Sequence, residues 1–115
     1  MLRNVVLALG AGFFFTSTAL AAEPIEGTWK RPNGTLIRYS ASGGEKFCGT
    51  VLTGEYKGKS IGCMNGSGNS YKGKVNKLDE GKTYNGTAKV NGNTLALAGC
   101  VLGGLICKSE NLVRQ

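Results

Sequence analysis

The side chains able to do chemistry in this sequence are four cysteines, seven carboxylates, four tyrosines and fourteen Lys and Arg, with no histidine. The missing imidazole decides most. It removes the Ser-His-Asp and Cys-His arrangements, whose nucleophile needs a neighbouring base, and it removes the commonest metal ligand. The cysteines Cys48, Cys63, Cys100 and Cys107 are spaced by 15, 37 and 7 residues. No C-x-x-C is present, so neither a redox pair nor the paired thiolates of a zinc site is expected. A glycosidase would need two carboxylates facing each other across a cleft. Glu23 and Glu26 lie together, Asp79-Glu80 share a turn, and nothing in the sequence pairs Glu45, Glu55 or Glu110. Lys82 and Tyr84 share a strand face, where a lysine stem packing beside an aromatic explains them. The expectation is a protein that is not an enzyme and uses neither cofactor nor metal.

That leaves the cysteines as staples, which suits an oxidising compartment. The start of the chain points the same way. Arg3 precedes an uncharged apolar run from Val5 to Phe15, and Ala19-Leu20-Ala21 supplies the small-x-small pattern of a signal-peptidase site. The run is too short for a membrane helix, which needs roughly 20 residues. Residues 1–21 are therefore read as a signal peptide cleaved near Ala21, and residues 22–115 as one domain without a transmembrane span. The location expected is periplasmic or secreted.

The elements that must position these residues are strands. Nineteen glycines against two prolines mark many turns, and between them run short segments rich in Thr, Val, Ile, Leu and Tyr that alternate with period two. Eight are expected, at 26–31, 35–40, 46–52, 60–64, 69–75, 82–90, 94–100 and 105–114. Asn91-Gly92-Asn93 reads as a type I′ hairpin turn. A helix-free meander best hides its edges by closing on itself, so the fold class is all-β, an eight-stranded up-and-down antiparallel barrel. Alternation gives the inner face as Gly27 and Trp29, Ile37 and Tyr39, Phe47 and Val51, Tyr71 and Val75, Tyr84, Ala88 and Val90, and Leu95 and Leu97.

With Gly103-Gly104 as a two-residue turn, Cys100 and Cys107 fall opposite each other in a hydrogen-bonded register, about 5.5 Å apart at Cα. Cys48 would then bridge Cys63. The favoured pairs are Cys48–Cys63 and Cys100–Cys107, with the other two connectivities left open.

Several of these residues follow the order of a known family. Gly27-Thr28-Trp29, Cys48-Gly49-Thr50-Val51, Gly81-Lys82-Thr83-Tyr84-Asn85-Gly86, Leu95-Ala96-Leu97-Ala98-Gly99-Cys100 and Gly103-Gly104-Leu105-Ile106-Cys107-Lys108-Ser109 resemble an uncharacterised family of exported bacterial proteins, domain of unknown function 2147. The resemblance implies a lipocalin-like barrel with an apolar cavity. It further implies that Trp29, admitted by Gly27, packs under Arg114 from the last strand to close the barrel base. The chain departs from the family at Lys77-Leu78-Asp79-Glu80 and Asn111-Leu112-Val113-Arg114, and it is short around residues 53–60, which implies a smaller cavity.

Binding is therefore the expected role. Tyr39, Tyr71 and Tyr84 are the ligand-binding candidates, since tyrosine joins a large apolar body to a hydrogen-bonding tip. The partner expected is a small apolar or amphipathic ligand. The alternative is a solid barrel whose basic outer face meets an anionic envelope component or a protein, given a formal net charge of +7 to which Arg3 contributes one. Export and the scatter of lysines argue against nucleic acid.

Overall fold

A computed structural model of the chain describes residues 22–115. The expected signal peptide, residues 1–21, and its expected cleavage near Ala21 fall outside the described residues. The strands are β1 (Gly27–Lys30), β2 (Leu36–Ala41), β3 (Lys46–Val51), β4 (Ser60–Ser67), β5 (Ser70–Lys77), β6 (Lys82–Asn91), β7 (Thr94–Val101) and β8 (Ile106–Arg114). Each pairs antiparallel with the next, and β8 returns to β1 through Trp29–Arg114 and Lys30–Val113. The sheet is a closed eight-stranded barrel. Closure leaves no strand edge free to pair with another chain.

Period-two alternation sets the inside. Trp29, Ile37, Tyr39, Phe47, Val51, Tyr71, Ala88, Val90, Leu95 and Leu97 are buried as their strand faces require, while Gly27, Val75 and Tyr84 are only partly so. Ile25, Ile61, Met64 and Leu112 join the core without having been assigned to it. Ile61 enters by an irregularity: Gly49 pairs with Gly62 but Thr50 pairs with Ser60, so β4 carries one extra residue there. Such a bulge breaks the alternation and turns two successive residues, Ile61 and Gly62, inward.

Three local expectations are corrected. First, β4 does not stop at Met64 but runs on to Ser67, because Asn65, Gly66 and Ser67 pair with Lys72, Tyr71 and Ser70 of β5. Second, the β6–β7 turn is centred on Gly92-Asn93, between the partners Asn91 and Thr94, with Gly92 at φ 62. Asn93 does not share the positive φ, so the turn follows the type II′ pattern, glycine first, and not type I′. Third, Gly103-Gly104 is not a two-residue turn: a single 3₁₀ turn, Leu102–Gly104, widens the loop to four residues between Val101 and Ile106.

Both disulfides take the favoured pairing, Cys48–Cys63 and Cys100–Cys107, and each joins residues directly opposite on neighbouring strands. Their Cα separations of 4.0 and 4.1 Å belong to the non-hydrogen-bonded register, where opposite residues approach more closely. The hydrogen-bonded register expected for Cys100 and Cys107 is thus wrong. Lengthening the loop from two residues to four moves the first bonded pair outward by one, which reverses the parity beneath it.

Candidate binding site

The two ends of the barrel differ. At one end the segment before β1 folds across the opening. Arg114, at the end of β8, lies with its guanidinium carbon 4.2 Å from the centroid of the Trp29 ring. Its Nη1 donates to the Glu26 carbonyl at 3.0 Å and its Nη2 to the Pro24 carbonyl at 2.7 Å. The Trp29 indole Nε1 donates to the Ile25 carbonyl at 2.9 Å. One arginine and one tryptophan thus pin the entering chain, leaving its carbonyls satisfied although Trp29 and Ile25 are fully buried. Gly27 sits at φ 129, and a Cβ there would meet Arg114 Nη1 at 3.0 Å. Only glycine adopts that backbone freely and leaves the guanidinium its place.

Above this plug the lower barrel is packed. Tyr71 meets Phe47 edge to face, with ring centroids 5.7 Å apart and an interplanar angle of 86°. The Tyr71 hydroxyl donates to the Gly68 carbonyl at 2.6 Å. Burial pushes that hydroxyl above its ordinary pKa, and the carboxylates of Glu23 and Glu26 add to the effect. Tyr39 is also 1% exposed, and its hydroxyl has no hydrogen-bond partner among the described residues. Burial alone raises its pKa far above the ordinary 10.0.

At the other end the barrel holds a cavity of about 580 Å³ that opens between the loops. Its wall is apolar and comes from inward positions one layer above the packed half: Ile37, Val51, Ile61, Val75 and Leu97. Its rim is charged. Arg31, just past β1, forms a two-point ion pair with Glu110 of β8, Nε to Oε2 at 2.7 Å and Nη2 to Oε1 at 3.3 Å. Lys77 meets Asp79 at 3.1 Å. Their hydrogen bond raises the pKa of the lysine and lowers that of the aspartate. The Tyr84 hydroxyl donates to Glu80 at 2.7 Å, a bond that holds the phenol protonated above its ordinary range.

Of the three tyrosine candidates, only Tyr84 lines this cavity. Tyr39 and Tyr71 sit on inward faces, but in the packed half, and the structure does not bring the three together. Gly27, Trp29 and Arg114 assemble at the opposite end as a structural plug. Sequence reasoning did not find the rim pair, although a signal existed. Counting back by twos from the inward Arg114 gives Leu112, Glu110 and Lys108, and counting forward by twos from Trp29 gives Arg31. Period two thus places Arg31 and Glu110 inside adjacent strands near the same end.

Chemically, the cavity can hold an apolar body and present paired charges to a polar head. Among the described residues no group of three or more His, Cys, Asp or Glu side chains converges as a metal site would require. No helix of the described residues is long and apolar enough to cross a membrane.

A closed up-and-down barrel of eight strands, plugged at one end by a tryptophan under an arginine and open at the other, is lipocalin-like in architecture. Residues 59–114, which span β4 to β8, match the model of a family described as an uncharacterized protein conserved in bacteria (DUF2147). No curated protein and no solved structure matches the chain.

Proposed function

We propose that this is an exported binding protein that takes a small apolar or amphipathic ligand in the mouth of its barrel. The observation that carries the reading is the division of one barrel into two halves: a packed, plugged base beneath an open cavity with aliphatic walls. A volume of about 580 Å³ lies inside the range of roughly 300–1,000 Å³ typical of small-molecule sites. Aliphatic walls would take the apolar part of the ligand, and Tyr84 with the Arg31–Glu110 pair would orient its polar end.

Binding is favoured over catalysis because Glu110, Asp79 and Glu80 are engaged with cations or a phenol, which leaves Glu55 as a lone rim carboxylate, and the chain offers no imidazole to act as a base. Two disulfides and no free cysteine among the described residues support work in an oxidising compartment, periplasmic or extracellular, after cleavage of the signal peptide. The alternative, recognition of an anionic envelope component by the outer face, would draw its support from a solid barrel, and the cavity weighs against it.

Native mass spectrometry of the purified protein against a panel of fatty acids, lysolipids and small aromatics tests the proposal. One-to-one adducts are expected, and Leu97→Trp, which fills the cavity, should abolish them. Absence of adducts across the panel, or equal adducts in the filled variant, would overturn it.

A further inference from the structure

Five large hydrophobic side chains are exposed among the described residues, and four of them share one hairpin tip. Val101, Leu102, Leu105 and Ile106 are 37%, 67%, 85% and 53% exposed. A turn between two strands ordinarily takes Gly, Asn, Asp or Ser at such positions. Here Leu102 and Leu105 flank the two glycines of the β7–β8 loop. Leu102 also lies at φ 54, the sole non-glycine residue with positive φ among the described residues. That conformation is unfavourable for a leucine and easy for asparagine or glycine. The tip therefore bears both a hydration cost and a backbone cost that a polar turn would avoid.

The Cys100–Cys107 bridge spans the two strands directly beneath this tip. It fixes the base of the loop and keeps the four aliphatic side chains presented. Val101 and Ile106 continue downward into the lining of the mouth cavity, so the apolar tip and the apolar wall form one surface.

The charges of the same end that take part in no ion pair are mostly basic, Glu55 of the β3–β4 loop being the acidic one among them. Lys57 and Lys59 lie in the β3–β4 loop, Lys82 opens β6, and Lys108 lies two residues beyond the tip. None of the four takes part in an ion pair among the described residues. In an up-and-down barrel the β1–β2, β3–β4, β5–β6 and β7–β8 loops all emerge at one end, so these lysines surround the same opening as the tip.

We propose that the β7–β8 tip docks on an anionic lipid bilayer, with Leu102, Leu105 and their flanking Val101 and Ile106 entering the boundary between headgroups and acyl chains. The four free lysines then face the anionic headgroups, the arrangement by which amphipathic surfaces bind such membranes. A protein partner is the weaker occupant. A specific protein interface needs about 800 Å² from each side, which a convex four-residue loop does not offer, whereas a fluid bilayer closes around a narrow protrusion. Docking stands independently of what the cavity holds, though it would turn the mouth toward the lipid.

The test is co-sedimentation of the purified protein with vesicles of equal parts phosphatidylglycerol and phosphatidylethanolamine, and with vesicles of phosphatidylcholine alone. The protein is expected to sediment with the anionic vesicles and to be released by high salt. Leu102→Asn with Leu105→Asn should weaken that partition about tenfold or more, since it removes the apolar surface that docking would bury, and should leave the melting temperature unchanged, because Asn accepts a positive φ. Leu105→Ser alone, at an ordinary backbone position, should weaken it in the same direction and serves if the double variant misfolds. Three results would overturn the proposal: no sedimentation with anionic vesicles, equal sedimentation of wild type and tip variants, or tip-dependent self-association without vesicles, which would make a second copy the occupant.

Discussion

Trp29 and Arg114 are partners twice over: they face each other across the β1–β8 seam that closes the barrel, and the guanidinium covers the indole at 4.2 Å. The first and last strands are held by few paired residues, so side-chain contacts carry much of the seam. A cation over an aromatic face contributes about 0.5–2 kcal/mol according to its exposure, and the two hydrogen bonds from Arg114 to backbone carbonyls add to that.

Trp29→Ala removes the plug's largest side chain and should destabilise the protein by about 3–5 kcal/mol, as for other buried aromatics. Arg114→Lys should not restore the wild-type value. A lysine keeps the charge but cannot reach Glu26 and Pro24 together with one planar fork while stacking on the ring. Urea unfolding of both variants checks this, with an unchanged midpoint for Trp29→Ala as the contrary result.

Tyr39 carries a buried hydroxyl with no partner among the described residues. Leaving such a group unsatisfied costs about 1–3 kcal/mol, so Tyr39→Phe is expected to stabilise the protein by about 1 kcal/mol at neutral pH. The same residue creates an alkaline dependence. In the unfolded chain a tyrosine ionises near 10.0, whereas burial holds Tyr39 protonated well above that in the fold. Its contribution to stability is therefore whole below pH 10 and is lost as pH rises beyond it. Denaturant midpoints measured from neutral pH upward should fall above about pH 10, and less steeply in Tyr39→Phe. Some slope should persist in that variant, because Tyr71 and Tyr84 are also raised.

The Arg31–Glu110 pair is about a third exposed on each side, and pairs of that kind contribute only about 0–1 kcal/mol. Glu110→Gln should thus leave the melting temperature nearly unchanged. It frees the Arg31 guanidinium at the rim, so uptake of decanoate should strengthen by about 1 kcal/mol, roughly fivefold. Isothermal titration of the two proteins with decanoate distinguishes a rim that selects the headgroup from one that only supports the fold.

The two bridges should differ in what they stabilise. In the chain-entropy account the Cys48–Cys63 link, 15 residues apart, contributes about 3 kcal/mol, and the Cys100–Cys107 link, 7 apart, about 2.5 kcal/mol. Replacing Cys48 and Cys63 by serine should lower global stability. Replacing Cys100 and Cys107 should also speed hydrogen exchange at the β7–β8 tip selectively, since that bridge lies one residue pair below the four-residue loop. Uniform exchange across the tip and the barrel body would argue against that local role.

Much of the barrel was legible because alternation reports faces directly. Eight strands and their order follow from period two and the Trp29–Arg114 plug from the Gly-x-Trp resemblance, whereas cysteine spacing only favoured the disulfide pairing that is found and left two other connectivities open. Depth along the barrel was not legible. Tyr39, Tyr71 and Tyr84 are equivalent in the pattern, yet two lie in the packed half and one lines the mouth. Height depends on the stagger between strands, and alternation cannot register an inserted residue such as the one opposite Gly49 and Thr50. The exposed leucines of the tip escaped for a related reason: an apolar run beside glycines reads the same whether it ends a buried strand or projects from the barrel.

The central claim is that one end of the barrel is a plug and the other a binding mouth. Nuclear magnetic resonance of amide and indole groups during titration with decanoate, below its micelle-forming concentration, tests this most directly. Saturable shifts are expected at Ile37, Val51, Val75, Tyr84 and Leu97, with the Trp29 indole resonance unmoved. Shifts spread over the outward lysines, or concentrated at Trp29 and Ile25 with the mouth silent, would contradict it.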